Sequence, residues 1–327
     1  MSAYKNLILA ALLLTFVLVP LGAYVRLSNA GLGCPDWPGC YGQITPHHAA
    51  DAINAELERN PQGEVSHAKA WKEMVHRYVA GILGLLILAI FVMAWRRRKQ
   101  VQNGVGLPLA LLVVLVFQAL LGMWTVTELL KPVIVSAHLL GGMTTLAMLV
   151  WLWRRENIGM QRAYFAPVHH LRLAAMLGLF LVIMQIALGG WVSANYAALV
   201  CADFPTCQGA WMPAMDFNHA FTLHRDLGET ASGELLSLSA LTAIHWAHRL
   251  MALIVTLYLV WLATRLFKVS GYAGFASMLL GALGLQVLLG ISNVVFSLPL
   301  SVAVAHNAGA ALLLAGMVML NFRVLRK

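Results

Sequence analysis

The chain of 327 residues is 60% hydrophobic and 11% charged, with a mean hydropathy of +0.77. Soluble domains carry about 25% charged residues, so the composition excludes a soluble globular enzyme and describes an integral membrane protein. The net charge of +9 follows membrane topology rather than a polyanion footprint, and no nucleic-acid partner is expected.

Apolar windows of about 20 residues, long enough to cross a bilayer core, fall at 6–25, 76–95, 106–126, 134–153, 173–193, 245–264, 274–296 and 302–321. The first is expected to stay as a helix, because the apolar region of a cleaved signal peptide runs only about 7–15 residues. With the N-terminus inside, the inner segments hold fourteen Lys and Arg against one acid, Glu156, and the outer segments hold eight basic and twelve acidic residues. This is the positive-inside pattern, and it puts both termini in the cytoplasm. The fold expected is all-α.

In chain order, the first span ends at "LGAYV" (21–25) and leads into the outer segment "CPDWPGC" (34–40). The second opens on "EMVHR" (73–77), the third carries "QALLGMWTV" (118–126) and the fourth opens on "SAHLLGG" (136–142). A basic inner segment, 154–172, follows, and the series then repeats. "LGGWV" (188–192) leads to "CADFPTC" (201–207), "HWAHR" (245–249) aligns with the first histidine block, and "QVLLGISNV" (286–294) and "VAHNAGA" (304–310) close the copy. The offset is 167–168 throughout, rising to 172 at the histidine block where the preceding outer loop is longer. Several blocks in one order at one offset mark an internal repeat. The expected architecture is two pseudo-symmetric four-helix bundles, 1–153 and 173–327, joined by the linker 154–172. Gly22, Gly122, Gly189, Gly190 and Gly290 are expected to let helices approach closely near the outer face.

The repeat sorts the twelve histidines. His76, His138, His248 and His306 occupy equivalent positions, each near the outer start of an outside-to-inside span. An ionisable group at such a depth is costly and usually functional. Two imidazoles from facing helices, with apolar neighbours and no thiolate or carboxylate cluster, suit axial ligation of a haem iron better than a four-ligand zinc site. One haem per half is expected. His47, His48, His67, His169, His170, His219 and His224 read as solvent-facing. Arg77 and Arg249 follow the histidines of the second and sixth spans. Each suits either a bidentate pairing with a haem propionate or an interfacial snorkelling role.

The halves differ three residues before those histidines, where Glu73 in one corresponds to His245 in the other. An i, i+3 pair shares a helix face. Glu73 is thus either a proton acceptor beside the haem of its half or a carboxylate favoured by a helix start.

Taken together, "LGAYVRLSNAGLGCPDWPGCYG", "EMVHR", "QALLGMWTV", "SAHL", "HWAHR" and "AHNAGA" resemble the haem A synthase family over all eight spans. The resemblance implies an oxidoreductase that converts the carbon-8 methyl of haem O to a formyl group by two hydroxylations and loss of water, giving haem A for terminal oxidases. It implies that His76 and His138 hold the substrate haem, that His248 and His306 hold a resident haem b, and that Glu73 is the catalytic carboxylate. It places the chain in the cell inner membrane. Candidate partners are a haem O synthase, an electron donor, a periplasmic thiol carrier and a second copy of the chain. A competing reading is a di-haem b electron carrier of quinol oxidoreductase type, without a substrate haem; a third is a thiol oxidase, which leaves the four matched histidines unexplained.

Cys34, Cys40, Cys201 and Cys207 fall outside the membrane, where disulfides persist. Each pair has the spacing to close locally as Cys34–Cys40 and Cys201–Cys207, either as structural staples or, for the first, as a pair exchanging with a thiol carrier. The segment "HAADAINAELERN" (48–60) has the apolar spacing of a surface helix over the first site.

Overall fold

A computed structural model describes residues 3–98, 104–157 and 169–325. The centre of the basic linker, 158–168, lies outside the described residues. Eight helices are long and apolar enough to cross a membrane: α1 (Ala3–Leu27), α3 (His67–Arg96), α4 (Gly106–Thr127), α5 (Pro132–Glu156), α6 (Arg172–Ala194), α8 (Leu238–Phe267), α9 (Ala273–Val295) and α10 (Leu300–Leu325). Two shorter ones, α2 (Ala50–Arg59) and α7 (Phe217–Ala220), lie in the connections between α1 and α3 and between α6 and α8. Lipid offers no hydrogen-bond partners, so a spanning segment must satisfy its backbone internally, and a helix does so. At about 1.5 Å per residue, 22 residues in the shortest of the eight suffice. The chain is a multi-pass membrane protein.

The helices pack in two rings. Helix α1 lies against α3 and α5, and α4 closes that ring between α3 and α5. The second ring places α6 against α8 and α10, with α9 between α8 and α10. The rings meet through α1, α5, α6 and α10. One apolar core unites α5, α6, α8, α9 and α10 through Leu146, Leu259, Leu262 and Met317, all fully or nearly fully buried. A second lies inside the first ring, around Ile8, Ile87, Ile90 and Leu111. Large apolar side chains such as Leu13, Leu85, Val113, Phe180, Leu257 and Leu288 point outward, as expected where the surrounding solvent is hydrocarbon.

Two helices run further than their apolar windows. Helix α3 starts at residue 67 rather than 76, and α8 at 238 rather than 245. The cause is N-capping: Ser66 accepts from the Lys69 N–H and Ser237 from the Ala240 N–H, each at 3.2 Å. In α3 the cap starts the helix within the polar stretch 67–73, whereas in α8 it starts it at the already largely apolar 238–244. The surface helix expected within 48–60 is α2, with Ile53 buried against Cys34, Cys40, Ala70 and Met74.

The sequence offset recurs in the loops that follow α1 and α6. Positive φ occurs at Asn29 and Tyr196, at Tyr41 and Gln208, and at Gly42 and Gly209, each pair 167 apart. Across the junction of the rings, residues at equal register meet: the Arg26 guanidinium donates to the Ser193 carbonyl at 3.0 Å, and the Tyr196 hydroxyl donates to Asn29 at 3.2 Å.

Candidate functional site

The four matched histidines each lie on a different helix, α3, α5, α8 and α10, and each ring meets a glycine on the preceding membrane-length helix, α1, α4, α6 and α9 respectively. A Cβ added at Gly22, Gly122 or Gly189 would stand 3.1 Å from Cε1 of His76, His138 or His248, and one at Gly290 3.2 Å from Cε1 of His306. These four glycines therefore make room for imidazoles and not, as expected, for helix backbones. Gly190 does serve helix packing, since a Cβ there would collide with Leu139 of α5.

The rings pair within each helix ring. His76 and His138 are within electrostatic range of one another, as are His248 and His306. Nδ1 of His76, His138 and His306 is buried with no hydrogen-bond partner among the described residues. Among those residues, no group of three or more His, Cys, Asp or Glu side chains could hold a metal ion. Each donor set is thus a pair of imidazoles facing a glycine-lined cradle. Such a set fits an iron whose other four positions are filled by a porphyrin, and it is too small for a protein-only zinc site.

Glu73 is buried, one helical turn from His76. Its Oε2 accepts the Cys34 backbone N–H at 2.9 Å, and its Oε1 pairs with Arg77. The Arg77 guanidinium also donates to the Asp36 carbonyl at 2.8 Å and reaches that of Gly39. In the other ring His245 takes the place of Glu73, its Nδ1 donating to the Ala197 carbonyl at 3.0 Å while Arg249 Nε donates to its Nε2 at 3.2 Å. Arg249 further donates to the carbonyls of Cys201, Asp203 and Thr206 at 2.8–2.9 Å. Both arginines therefore anchor a connecting loop to a histidine helix, a function that residue spacing does not reveal.

Those loops are closed by disulfides between Cys34 and Cys40, with Cα atoms 4.9 Å apart, and between Cys201 and Cys207, at 4.6 Å. Inside each, an aspartate accepts the loop's own N–H groups: Asp36 from Tyr41 and Gly42, Asp203 from Gln208 and Gly209. The Thr206 hydroxyl and these amides hold the Asp203 carboxyl well below the usual carboxylate range, at about 2. His47, His48, His170, His219 and His224 are exposed, and His67 is half-buried.

Three residues near the site carried no sequence signal beyond their place in the repeat. Gln118, Gln185 and Gln286 each stand four residues before a histidine-facing glycine, and each side-chain amide reaches the histidine helix.

This chain is 42% identical to the Heme A synthase of Shewanella oneidensis, over 95% of its length and 93% of that protein. It is 29% identical to the Heme A synthase of Shouchella clausii over 69% of each chain, and 27% identical to that of Allorhizobium ampelinum over 93% of this chain and 85% of that one. Residues 5–318 match the COX15-CtaA family, described as cytochrome oxidase assembly protein. The two histidine pairs, the buried Glu73 and the two disulfide loops all fall within that match, and the chain belongs to the COX15-CtaA family of cytochrome oxidase assembly proteins.

Proposed function

We propose that the chain is a haem A synthase of the cell inner membrane, an oxidoreductase that converts the carbon-8 methyl of haem O to a formyl group by successive hydroxylations. The observation that carries this reading is the asymmetry between two otherwise matched histidine pairs: one lies beside a buried carboxylate, Glu73, and the other beside His245. A carrier that only relays electrons has no need of that difference, whereas a chain with one substrate site and one relay site does.

In this reading residues 1–153 form the substrate half, with His76 and His138 holding haem O and releasing haem A. Residues 173–327 form the resident half, with His248 and His306 holding haem b. Haem b supplies one-electron transfer. Glu73 takes up protons as methyl C–H bonds are lost, and its two oxygens are oriented by Arg77 and the Cys34 N–H. A carboxylate fixed on both oxygens is preorganised for proton transfer. Arg77 and Arg249 are assigned to the haem propionates in addition to the loops they hold. The disulfide loops, on the periplasmic side, cover the outer ends of the two sites. A haem O synthase, an electron donor and a thiol carrier acting on Cys34–Cys40 are the partners this activity requires or invites, and both termini are cytoplasmic.

The test is pigment analysis by mass spectrometry of protein purified with and without a co-expressed haem O synthase. The reading requires haem b in both preparations and haem O or haem A in the second. Haem b alone under every condition would favour a di-haem electron carrier and sink the proposal.

A further inference from the structure

The two disulfide loops run into the same tight turn. Cys40 and Gln43 exchange backbone hydrogen bonds at 2.8 and 3.0 Å, and Cys207 and Ala210 do so at 2.9 and 3.1 Å. Tyr41 with Gly42, and Gln208 with Gly209, all have positive φ, the geometry of a two-residue hairpin turn. At equal register beside each turn stands a large apolar side chain that is mostly exposed, Ile44 at 78% and Trp211 at 71%. No residue from Cys40 to Pro46, or from Cys207 to Pro213, is charged. One exposed apolar side chain is ordinary. The same exposure at the same place on two braced turns is a surface.

What the turns touch identifies what covers them. The Tyr78 hydroxyl donates to the Ile44 carbonyl at 2.5 Å, and the Trp246 indole N–H donates to the Trp211 carbonyl at 3.0 Å. Tyr78 shares a face of α3 with the exposed Val75, Ile82 and Leu85, and Trp246 shares a face of α8 with the exposed Leu250, Leu253 and Leu257, at spacings of three and four residues. On helices that cross a membrane, such apolar stripes face lipid. Tyr78 is the third residue of the apolar window 76–95, and Trp246 the second of 245–264. Tyr and Trp concentrate at this boundary, where the ring is in apolar surroundings and its polar atom reaches toward water. The carbonyls they bind hold Ile44 and Trp211 at the same depth. We infer that the two turns are seated in the lipid leaflet, with Ile44 and Trp211 inserted where headgroups meet acyl chains. The occupant is lipid because the exposed turns continue into stripes that lipid already covers. The bilayer thus holds each disulfide loop in addition to Arg77 or Arg249. The inference does not depend on what the histidines hold.

The test is tryptophan fluorescence of the full-length protein in phosphatidylcholine vesicles. The lipid is either unmodified or brominated near the headgroup end of its acyl chains, and iodide serves as the aqueous quencher. The emission that Trp211→Phe removes reports on Trp211, and the emission that Ile44→Trp adds reports on the other turn. Leu235→Trp is the contrast, because Leu235 is 87% exposed but precedes α8, whose first residue stands about 12 Å along the axis from Trp246. Brominated lipid is expected to quench both turn signals and iodide to leave them largely intact, with the reverse for Leu235→Trp. Turn signals quenched by iodide and not by brominated lipid overturn the inference. Signals shielded from both quenchers overturn it in favour of a second copy or another protein on this surface. Quenching at one turn alone overturns it as well, and equal lipid quenching of Leu235→Trp overturns the depth assigned to the turns.

Discussion

Glu73 accepts the backbone N–H of Cys34 at 2.9 Å, so the carboxylate beside the first histidine pair and the first disulfide loop form one structural unit. Glu73 is the one acidic side chain that is buried among the described residues. A carboxylate in such a setting survives only with partners, and Arg77 and the Cys34 N–H are those partners. Glu73→Gln keeps the shape and removes the charge. It should leave haem O bound while haem A formation falls about 10²- to 10⁴-fold, the usual contribution of a positioned acid or base. Extracted pigments from wild type and variant would decide it, and undiminished haem A output would remove Glu73 from the chemistry.

The two disulfides should then differ in what their loss does. Closing a loop this short is worth about 2 kcal/mol by chain entropy, so replacing either pair with serine should lower thermal stability by a similar amount. Loss of Cys34–Cys40 should also lower the ratio of haem A to haem O, because the Cys34 N–H that orients Glu73 belongs to that loop. Loss of Cys201–Cys207 should leave the ratio unchanged. Equal ratios in the two serine variants would make both bridges simple staples.

The glycine cradles give a separate test. A methyl at Gly22 or Gly290 would come within 3.1–3.2 Å of an imidazole carbon, closer than the optimal separation of about 3.5–4.0 Å. The ring must shift, and overpacking of this kind costs about 1–3 kcal/mol. Gly22→Ala should reduce retention of the substrate haem only, and Gly290→Ala retention of haem b only. Loss of both haems in either variant would argue against separate sites.

Much of this arrangement was legible in the sequence because hydropathy and the repeat are both long-range patterns. The eight spans, the four histidines and the odd carboxylate at Glu73 could all be located from them. The early start of α3 could not, because Lys69, Lys72 and Glu73 are polar, and a hydropathy window sees polarity rather than the cap at Ser66. The glycines were visible but their partners were not, since spacing along one helix does not reveal which ring stands opposite on the next. Gln118, Gln185 and Gln286 escaped notice because a buried amide acquires its meaning only from the carbonyl it meets, here that of a histidine 20 or 63 residues away. Arg77 and Arg249 were recognised as boundary cations, yet loop carbonyls as partners follow only from the folded turn.

The Cys201–Cys207 loop carries its own pH dependence. The Asp203 carboxyl is held at about 2 by Thr206 and the amides of Gln208 and Gly209, below an unfolded value near 3.9. A depressed carboxylate contributes stability in full above the unfolded value and loses it as pH falls through the folded one. Reduction of this disulfide by an acid-stable phosphine should therefore show no Asp203-linked acceleration between pH 7 and pH 4, and accelerate as pH falls toward 2. Asp203→Asn should abolish that acid-dependent rise. A rise already complete by pH 4 would show that Asp203 does not hold the loop.

The junction of the two helix rings depends on Arg26. Its guanidinium donates to the carbonyls of Ser193 and Ala194 at 3.0 and 3.3 Å and lies 4.0 Å over the Tyr196 ring. Those carbonyls end helix α6, where backbone acceptors lack helical partners and the helix dipole favours a cation. Hydrogen bonds to a charged group contribute about 1.5–3 kcal/mol, and Arg26→Ala should destabilise the detergent-solubilised protein by that amount. Arg26→Lys should recover only part of it, because an ammonium can donate to the two carbonyls but lacks the planar guanidinium face that stacks on the Tyr196 ring. Tyr196→Phe, which removes one exposed hydrogen bond to Asn29, should cost far less than Arg26→Ala. Thermal unfolding of the three variants, with Arg26→Ala in the Tyr196→Phe background to measure their coupling, checks the argument. A melting temperature unmoved by Arg26→Ala would mean that apolar packing among α1, α5, α6 and α10 holds the rings together unaided.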